Sequence, residues 1–181
     1  RYVKLTVLES KDGFLPSSKE FVINGTNADK NIALGKQCTN VVLQKDHNPN
    51  DALDGNMSTY WIADNEQFPQ SLTVDLEEVC TLSGIQQIFK DHDSWKFKIE
   101  GSNDELHWAV LVDNTDGISG FDFKTPVSGE FRYIRLTILG SAKGYWAHSC
   151  EFRVFGTEKD VVSLGGRELE DLAFNALAAT S

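Results

Sequence analysis

The feature that most limits the fold of this chain is strict two-residue alternation in short segments. Ser71-Leu72-Thr73-Val74-Asp75-Leu76 alternates polar and apolar side chains without a break. Trp95-Lys96-Phe97-Lys98-Ile99-Glu100 does the same, with Trp95, Phe97 and Ile99 on one face. His107 to Val112 forms a third segment after the turn-rich Gly101-Ser102-Asn103-Asp104, and Arg132 to Leu139 and Cys150 to Phe155 complete the run. A period of two puts one face on a core and the other toward water, as in a half-buried β-strand. Strands at this spacing, with no long helix between them, require an all-β antiparallel sandwich or barrel.

Composition narrows the function classes. The 181 residues are 40% hydrophobic with only 4 prolines, enough apolar material for one packed domain. The 27 Asp and Glu exceed the 17 Lys and Arg, a formal net charge of -10 that argues against nucleic acid or an anionic membrane as the main partner. Residues 46–78 hold eight of the acids and no Lys or Arg. No apolar run approaches the roughly 20 residues of a membrane span. With no starting methionine and no charged-then-apolar leader, the chain reads as a cut from a longer protein. The three cysteines, Cys38, Cys80 and Cys150, form no zinc-like cluster. They leave two readings open: one long-range disulfide, with Cys38 to Cys150 the foremost pairing, or three small buried thiols.

The chain also repeats itself. Arg1-Tyr2-Val3-Lys4-Leu5-Thr6-Val7-Leu8 is nearly Arg132-Tyr133-Ile134-Arg135-Leu136-Thr137-Ile138-Leu139. At the same offset Gly13, Phe14, Ser18, Glu20, Phe21, Gly25 and Thr26 fall on Gly144, Tyr145, Ser149, Glu151, Phe152, Gly156 and Thr157. An ungapped match of this length marks residues 1–26 as the last two strands of a second or displaced copy of the module. They must pair with something, since two strands alone bury no core. The main domain is then 27–157. Residues 158–181 read as a linker and a short C-terminal helix, with helix formers over 167–179 after Gly165-Gly166.

Two stretches carry candidate chemistry. Asp51, Asp54, Asn56 and Thr59 lie within nine positions around Gly55, oxygen donors of the kind calcium takes, although a solvated Asx-turn would use the same residues. Lys143-Gly144-Tyr145-Trp146-Ala147-His148 sets two aromatics after a glycine in a hairpin-like connection. Sugars are held by an aromatic ring against their C–H face plus a few polar side chains, which such a loop can supply. Lys45-Asp46-His47-Asn48 and Lys90-Asp91-His92-Asp93-Ser94 are further polar loops. Tyr145 and Trp146 are the candidate stacking groups, and His47, Lys90 and His92 the candidate hydrogen-bond donors. The alternatives are core packing for Trp146 and plain surface histidine for His47 and His92. Trp61 and Trp108 are assigned to the core. No nucleophile elbow, zinc-protease motif or phosphate loop occurs, so no catalytic residue is named. The sequons at Asn24 and Asn56 are read as accidental.

In combination, five stretches resemble the coagulation factor V/VIII type C (discoidin) domain. They are Asn31 to Lys36 as an opening strand, Asn50 to Trp61 with its Ala52-Leu53-Asp54-Gly55 block, Ile99 to Trp108, and the Arg132 to Leu136 and Glu151 to Gly156 strands. The closest group is the family-32 carbohydrate-binding modules of bacterial glycoside hydrolases. Glu105 departs from the glycine common in that family. The resemblance implies a jelly-roll β-sandwich of the galactose-binding-domain type and a ligand surface on loops at one end. It also implies a structural calcium held by Asp54, carbonyls near Asp51 and Asn56, Thr59, and Glu151 with the Cys150 carbonyl. Its functional expectation is a non-catalytic module that tethers a secreted glycoside hydrolase to a glycan of galactose or N-acetylgalactosamine type. The neighbouring domains of that enzyme would be further partners, at an extracellular, periplasmic or cell-surface location. The rivals are a structural accessory domain without sugar binding and a discoidin-type adhesion module.

Overall fold

The computed structural model describes residues 30–39 and 47–158. Seven strands follow one another in the chain: β1 (Gln37–Thr39), β2 (Trp61–Ile62), β3 (Gln70–Ser102), β4 (Ala109–Thr125), β5 (Gly129–Ser141), β6 (His148–Ser149) and β7 (Glu151–Glu158). All described pairings are antiparallel.

β3 is the element that makes two layers from one path. Ile134 of β5 pairs with Val74 on one side and with Gly101 on the other, so β3 folds round and flanks β5 twice. One layer therefore runs β1, the 70–75 stretch, β5, the 95–102 stretch and the start of β4. In the other layer the 80–88 stretch of β3 lies between β7 and the end of β4. The alternation explains the packing. Leu72, Val74 and Leu76 bury on one strand, Trp95, Phe97 and Ile99 on the next, and Ile134, Leu136 and Ile138 on β5. They meet Leu82, Ile85, Phe89, Phe152 and Val154 from the other layer. Phe89 stacks on Trp95 with ring centres 4.2 Å apart. The all-β sandwich expected from the period of two is the observed architecture.

Three expectations need correction. The opening strand at Asn31 to Lys36 is a turn: Asn31 Oδ1 accepts from Ala33 N–H, Gly35 sits at φ +74°, and the first strand begins at Gln37. The disulfide alternative falls, because all three cysteines are free. Cys38 instead points its thiol at the Pro49 carbonyl, and burial pushes it up to about 12, which leaves it protonated and unreactive. Trp108 is only half-buried, whereas Trp61 is in the core as expected.

The strand pair expected at 1–26 and the helix expected within 158–181 lie outside the described residues. The repeat still gains meaning from its described copy. Gly144 has φ +76°, Glu151 and Phe152 are fully buried, and a Cβ on Gly156 would collide with the Thr81 carbonyl. Among the described residues no helix is long and apolar enough to cross a membrane.

Candidate functional site at the loop end of the sandwich

Between Ile88 and Asp93 the ladder with β4 breaks: Ile88 pairs with Asp122 and Asp93 with Gly120, so four residues of β3 bulge opposite Phe121 alone. The bulge holds Phe89, Lys90, Asp91 and His92 at the end of the sandwich where β3 crosses between layers. The β5–β6 connection is fixed against it. Asp93, 2% exposed, accepts from Ser141 Oγ and from Lys143 N–H, and Ser141 Oγ in turn accepts from Tyr145 N–H at 2.9 Å. Burial alone would raise Asp93, but these donors hold it below the usual carboxylate range. Lys143 Nζ closes the join by donating to the His92 carbonyl at 2.7 Å.

On this base Tyr145 lies nearly parallel to the buried Trp95, with ring centres 6.2 Å apart, and remains 36% exposed. Trp146 is half-buried, and its carbonyl accepts from His148 Nδ1 at 2.8 Å. A carbonyl only accepts, so the His148 proton is on Nδ1 and Nε2 presents a lone pair. That Nε2 is buried without a partner, 3.8 Å from Asp91 Oδ2, and burial lowers the His148 pKa.

A second group of side chains stands beside the first. β2 pairs with β6, Ile62 opposite His148, which sets Tyr60 next to the same connection. The His47 ring packs on Tyr60 at 4.3 Å and its Nδ1 donates to the Tyr60 carbonyl. Lys90 Nζ sits 4.2 Å from the centre of the Tyr60 ring, and its bond to the Tyr60 hydroxyl raises its pKa. His47 and Lys90 thus meet around one tyrosine, while Tyr145 belongs to the hairpin that Lys143 ties to the His92 carbonyl. The sequence reasoning missed Tyr60, Asp91 and His148. For Tyr60 a signal existed, since alternation turns it outward if Trp61 is buried.

The 54–59 loop lies against the start of β7. Asp54 Oδ2 and the Asn56 carbonyl both accept from Thr59 Oγ1 at 2.7 Å. Glu151 is fully buried; its Oε2 takes Arg153 at 3.2 Å, and its Oε1 makes no well-formed hydrogen bond although the Gly55 N–H lies near the carboxylate. Burial, helped by the nearby Asp54, pushes its pKa up. Asp51 spends its carboxylate on Asn48 N–H in the cap of the short 3-10 turn Pro49–Leu53, which leaves only its carbonyl. Among the described residues no three His, Cys, Asp or Glu converge as a metal cluster, so a cation here would rest on two carboxylates and neutral oxygens. A buried carboxylate oxygen without a well-formed hydrogen bond, facing such a loop, fits that donor set.

A groove of about 310 Å³ opens at the opposite end, where Asn103, Asp104, His107, Trp108 and Phe131 line it. Its polar groups are already engaged. Asn103 donates to the Glu130 carbonyl and accepts from Arg132 N–H, and Asp104 accepts from Leu106 N–H, His107 N–H and the His107 ring.

With this geometry in hand, comparison with known proteins gives one family and one fold. The profile of the F5/8 type C domain matches residues 36–152, nearly the whole of the main domain expected from sequence. Among solved structures, CpGH89CBM32-4 of Clostridium perfringens, in complex with GlcNAc-α-1,4-galactose, superposes with a TM-score of 0.64 at 24% identity. That match covers 77% of this chain and 97% of the other. Chitosan-binding module 2 of a Paenibacillus sp. IK-5 chitosanase/glucanase, in complex with chitotriose, gives 0.64 at 23% identity, covering 70% of this chain and all (100%) of the other. No curated protein matches the chain.

Proposed function

The chain belongs to the F5/8 type C domain family, and on that premise we propose that it is a non-catalytic carbohydrate-binding module. The observation that carries this reading is Tyr145: an exposed ring stacked on buried Trp95, in a hairpin fixed through Asp93, Ser141 and Lys143 to the bulge that carries Lys90, Asp91 and His92. The ring offers a flat apolar face to a pyranose, and the side chains around it offer donors and acceptors to its hydroxyls. Trp146 lies beside the platform and His47, Lys90 and His92 act as donors. The sugar is taken to be of galactose or N-acetylgalactosamine type. The module tethers a secreted glycoside hydrolase to that glycan outside the cell.

A calcium ion belongs to the same proposal. Asp54, the Asp51 and Asn56 carbonyls, Thr59, the Cys150 carbonyl and Glu151 would hold it, and it would clamp the 54–59 loop to β7. The support is the buried Glu151 Oε1, which faces that loop without a well-formed hydrogen bond. Its role is structural. A glycan array, with galactose, N-acetylgalactosamine, GlcNAc-α-1,4-galactose and chitotriose among its probes, tests both points with calcium and after chelation. Binding to a sugar is expected, with a fall in melting temperature on chelation. A folded sample that binds no sugar in either condition returns the domain to the structural reading.

We also assign residues 1–26 to a second copy of the module, which would give the parent protein more than one binding site and hence avidity. The support is that the repeat keeps the residues the described copy needs: glycine at the Gly144 and Gly156 positions, an aromatic at Tyr145, and glutamate at Glu151. Leu136→Ala should lower stability by about 3 kcal/mol. Leu5→Ala, the matched position, should leave unfolding of this module unchanged, and a comparable loss would put residues 1–26 in its own core.

A further inference from the structure

Phe121 is 48% exposed at the same end of the sandwich, in a place that the Tyr145 site does not use. It is the β4 residue left between the Asp122–Ile88 and Gly120–Asp93 pairs, opposite the four-residue bulge. Gly120, at φ +150°, lies against the Phe123 ring, where a Cβ would come within 3.0 Å, so this bend is made for glycine. The His92 ring leans toward Phe121, with centres 6.4 Å apart and planes at 51°. His92 is itself joined to the platform hairpin through Lys143, whose ammonium binds the His92 carbonyl. Lys143 thus ties the Tyr145 hairpin to His92, and His92 in turn neighbours Phe121.

The separation of Tyr145 from Phe121 follows from the strand order. Trp95 of β3 pairs with Ser141 of β5 on one side and with Ile118 of β4 on the other. Tyr145 follows β5 and Phe121 lies in β4, so the two residues belong to strands on either side of β3, whose backbones run two spacings, about 10 Å, apart. That is wider than one pyranose ring. A single sugar on Tyr145 would not reach Phe121, but the next residue of an oligosaccharide would. A half-exposed phenyl beside an imidazole is also a poor feature to leave in water and a good one to place under a sugar's C–H face.

Building on the carbohydrate-binding reading, we propose that Phe121 and His92 form a second subsite for the neighbouring pyranose of the same glycan. The module then binds an internal or terminal oligosaccharide segment rather than one sugar. Phe121 supplies the stacking face and His92 a hydrogen bond to a hydroxyl or acetamide group.

Calorimetric titration of the intact chain tests this, with galactose and N-acetylglucosamine as single sugars and GlcNAc-α-1,4-galactose and chitotriose as longer probes. The wild-type chain should bind at least one longer probe roughly tenfold more tightly than its component sugar. Phe121→Ala should remove most of that gain and leave the single-sugar affinity within twofold. Phe121→Tyr should restore it. The melting temperature should not change, because the ring is exposed. An equal loss for single sugars and oligosaccharides would make Phe121 part of the first subsite and overturn the proposal. No gain for any longer probe in the wild type, or no loss in Phe121→Ala, would overturn it while the carbohydrate-binding reading stands. Absence of all sugar binding by the folded wild type would instead overturn that reading and this subsite together.

Discussion

The two ends of the 95–102 strand both carry aromatics, carboxylates and histidines, yet they are different kinds of surface. The 101–108 end carries a groove of about 310 Å³, but its chemistry is largely turned inward. Trp108 donates its indole N–H to the Glu105 carbonyl and has the Arg135 guanidinium stacked 3.8 Å from its ring. Arg135 in turn binds the buried Glu100 through two nitrogens, with Lys98 on the other carboxylate oxygen. At the 90–95 end the ring on top is open to water, and the acceptor behind it, His148 Nε2, has no donor. Buried polar groups in native proteins are normally satisfied, and this one is left open beside Asp91. The 90–95 end thus keeps unspent hydrogen-bonding capacity, as a ligand surface needs, whereas the groove at the other end has most of its own already spent.

Substitutions at the two ends should therefore split stability from binding. Arg135→Ala strips one partner from a carboxylate that is only 6% exposed, and should cost about 2–3 kcal/mol in urea unfolding. The fraction that stays folded should bind glycan as before. If affinity falls with stability, the far end is not a passive scaffold. Tyr145→Ala should show the reverse, with affinity down roughly tenfold, about 1.4 kcal/mol, and stability within about 0.5 kcal/mol of wild type. A Tyr145→Ala chain that unfolds early but still binds would invert the comparison.

The same contrast explains what was legible in the sequence. Faces were, because alternation directly states which side chains share a side: Leu72, Val74, Trp95, Phe97, Leu136 and Phe152 all bury as the period of two requires. The path of β3 was not. Its segments at 74 and 101 flank the same β5 residue, and no local pattern encodes which strands sit on either side of a third. The opening segment failed because Asn31 and Gly35 prefer a local turn to the ladder. Within the site, the candidates on the loops were found by residue type. Asp91 and His148 were not, since their meaning depends on a 3.8 Å approach between positions 57 residues apart. Phe121 escaped because an aromatic that alternates with Phe123 after Gly120 looks like any strand residue until the bulge opposite it is seen.

Acid offers the finest way to tell the ends apart, because each rests on a depressed carboxylate. Burial raises Glu100, but Lys98 and Arg135 outweigh it and hold its folded pKa below the ordinary 4.5. Asp75, paired to Arg132 through two bonds of 2.8 Å, is held below 3.8 at the same end. Asp93, anchoring the Tyr145 hairpin, is likewise held below 3.8 by Ser141 and Lys143. A group whose folded pKa is depressed contributes stability above its unfolded value and loses it as pH falls through the folded one, because the unfolded chain takes up the proton first. Stability should thus fall gently below about 6.5, where the unfolded chain protonates His148 first, against an opposing gain as buried Glu151 takes up its proton, and the carboxylates of the two ends should add their own decline from about 4.5. The first part of that added decline, between 4.5 and 3.8, belongs to Glu100, and the later part to the aspartates at both ends. Glu100→Gln should flatten the early limb and leave the later one in place, as read from urea midpoints across the pH series. Glycan affinity, measured across the same window on the folded fraction, should hold until the later limb, when protonation of Asp93 frees the hairpin that carries Tyr145. Loss of affinity already on the Glu100 limb would mean that the structural end reaches the binding end after all, through the one strand they share.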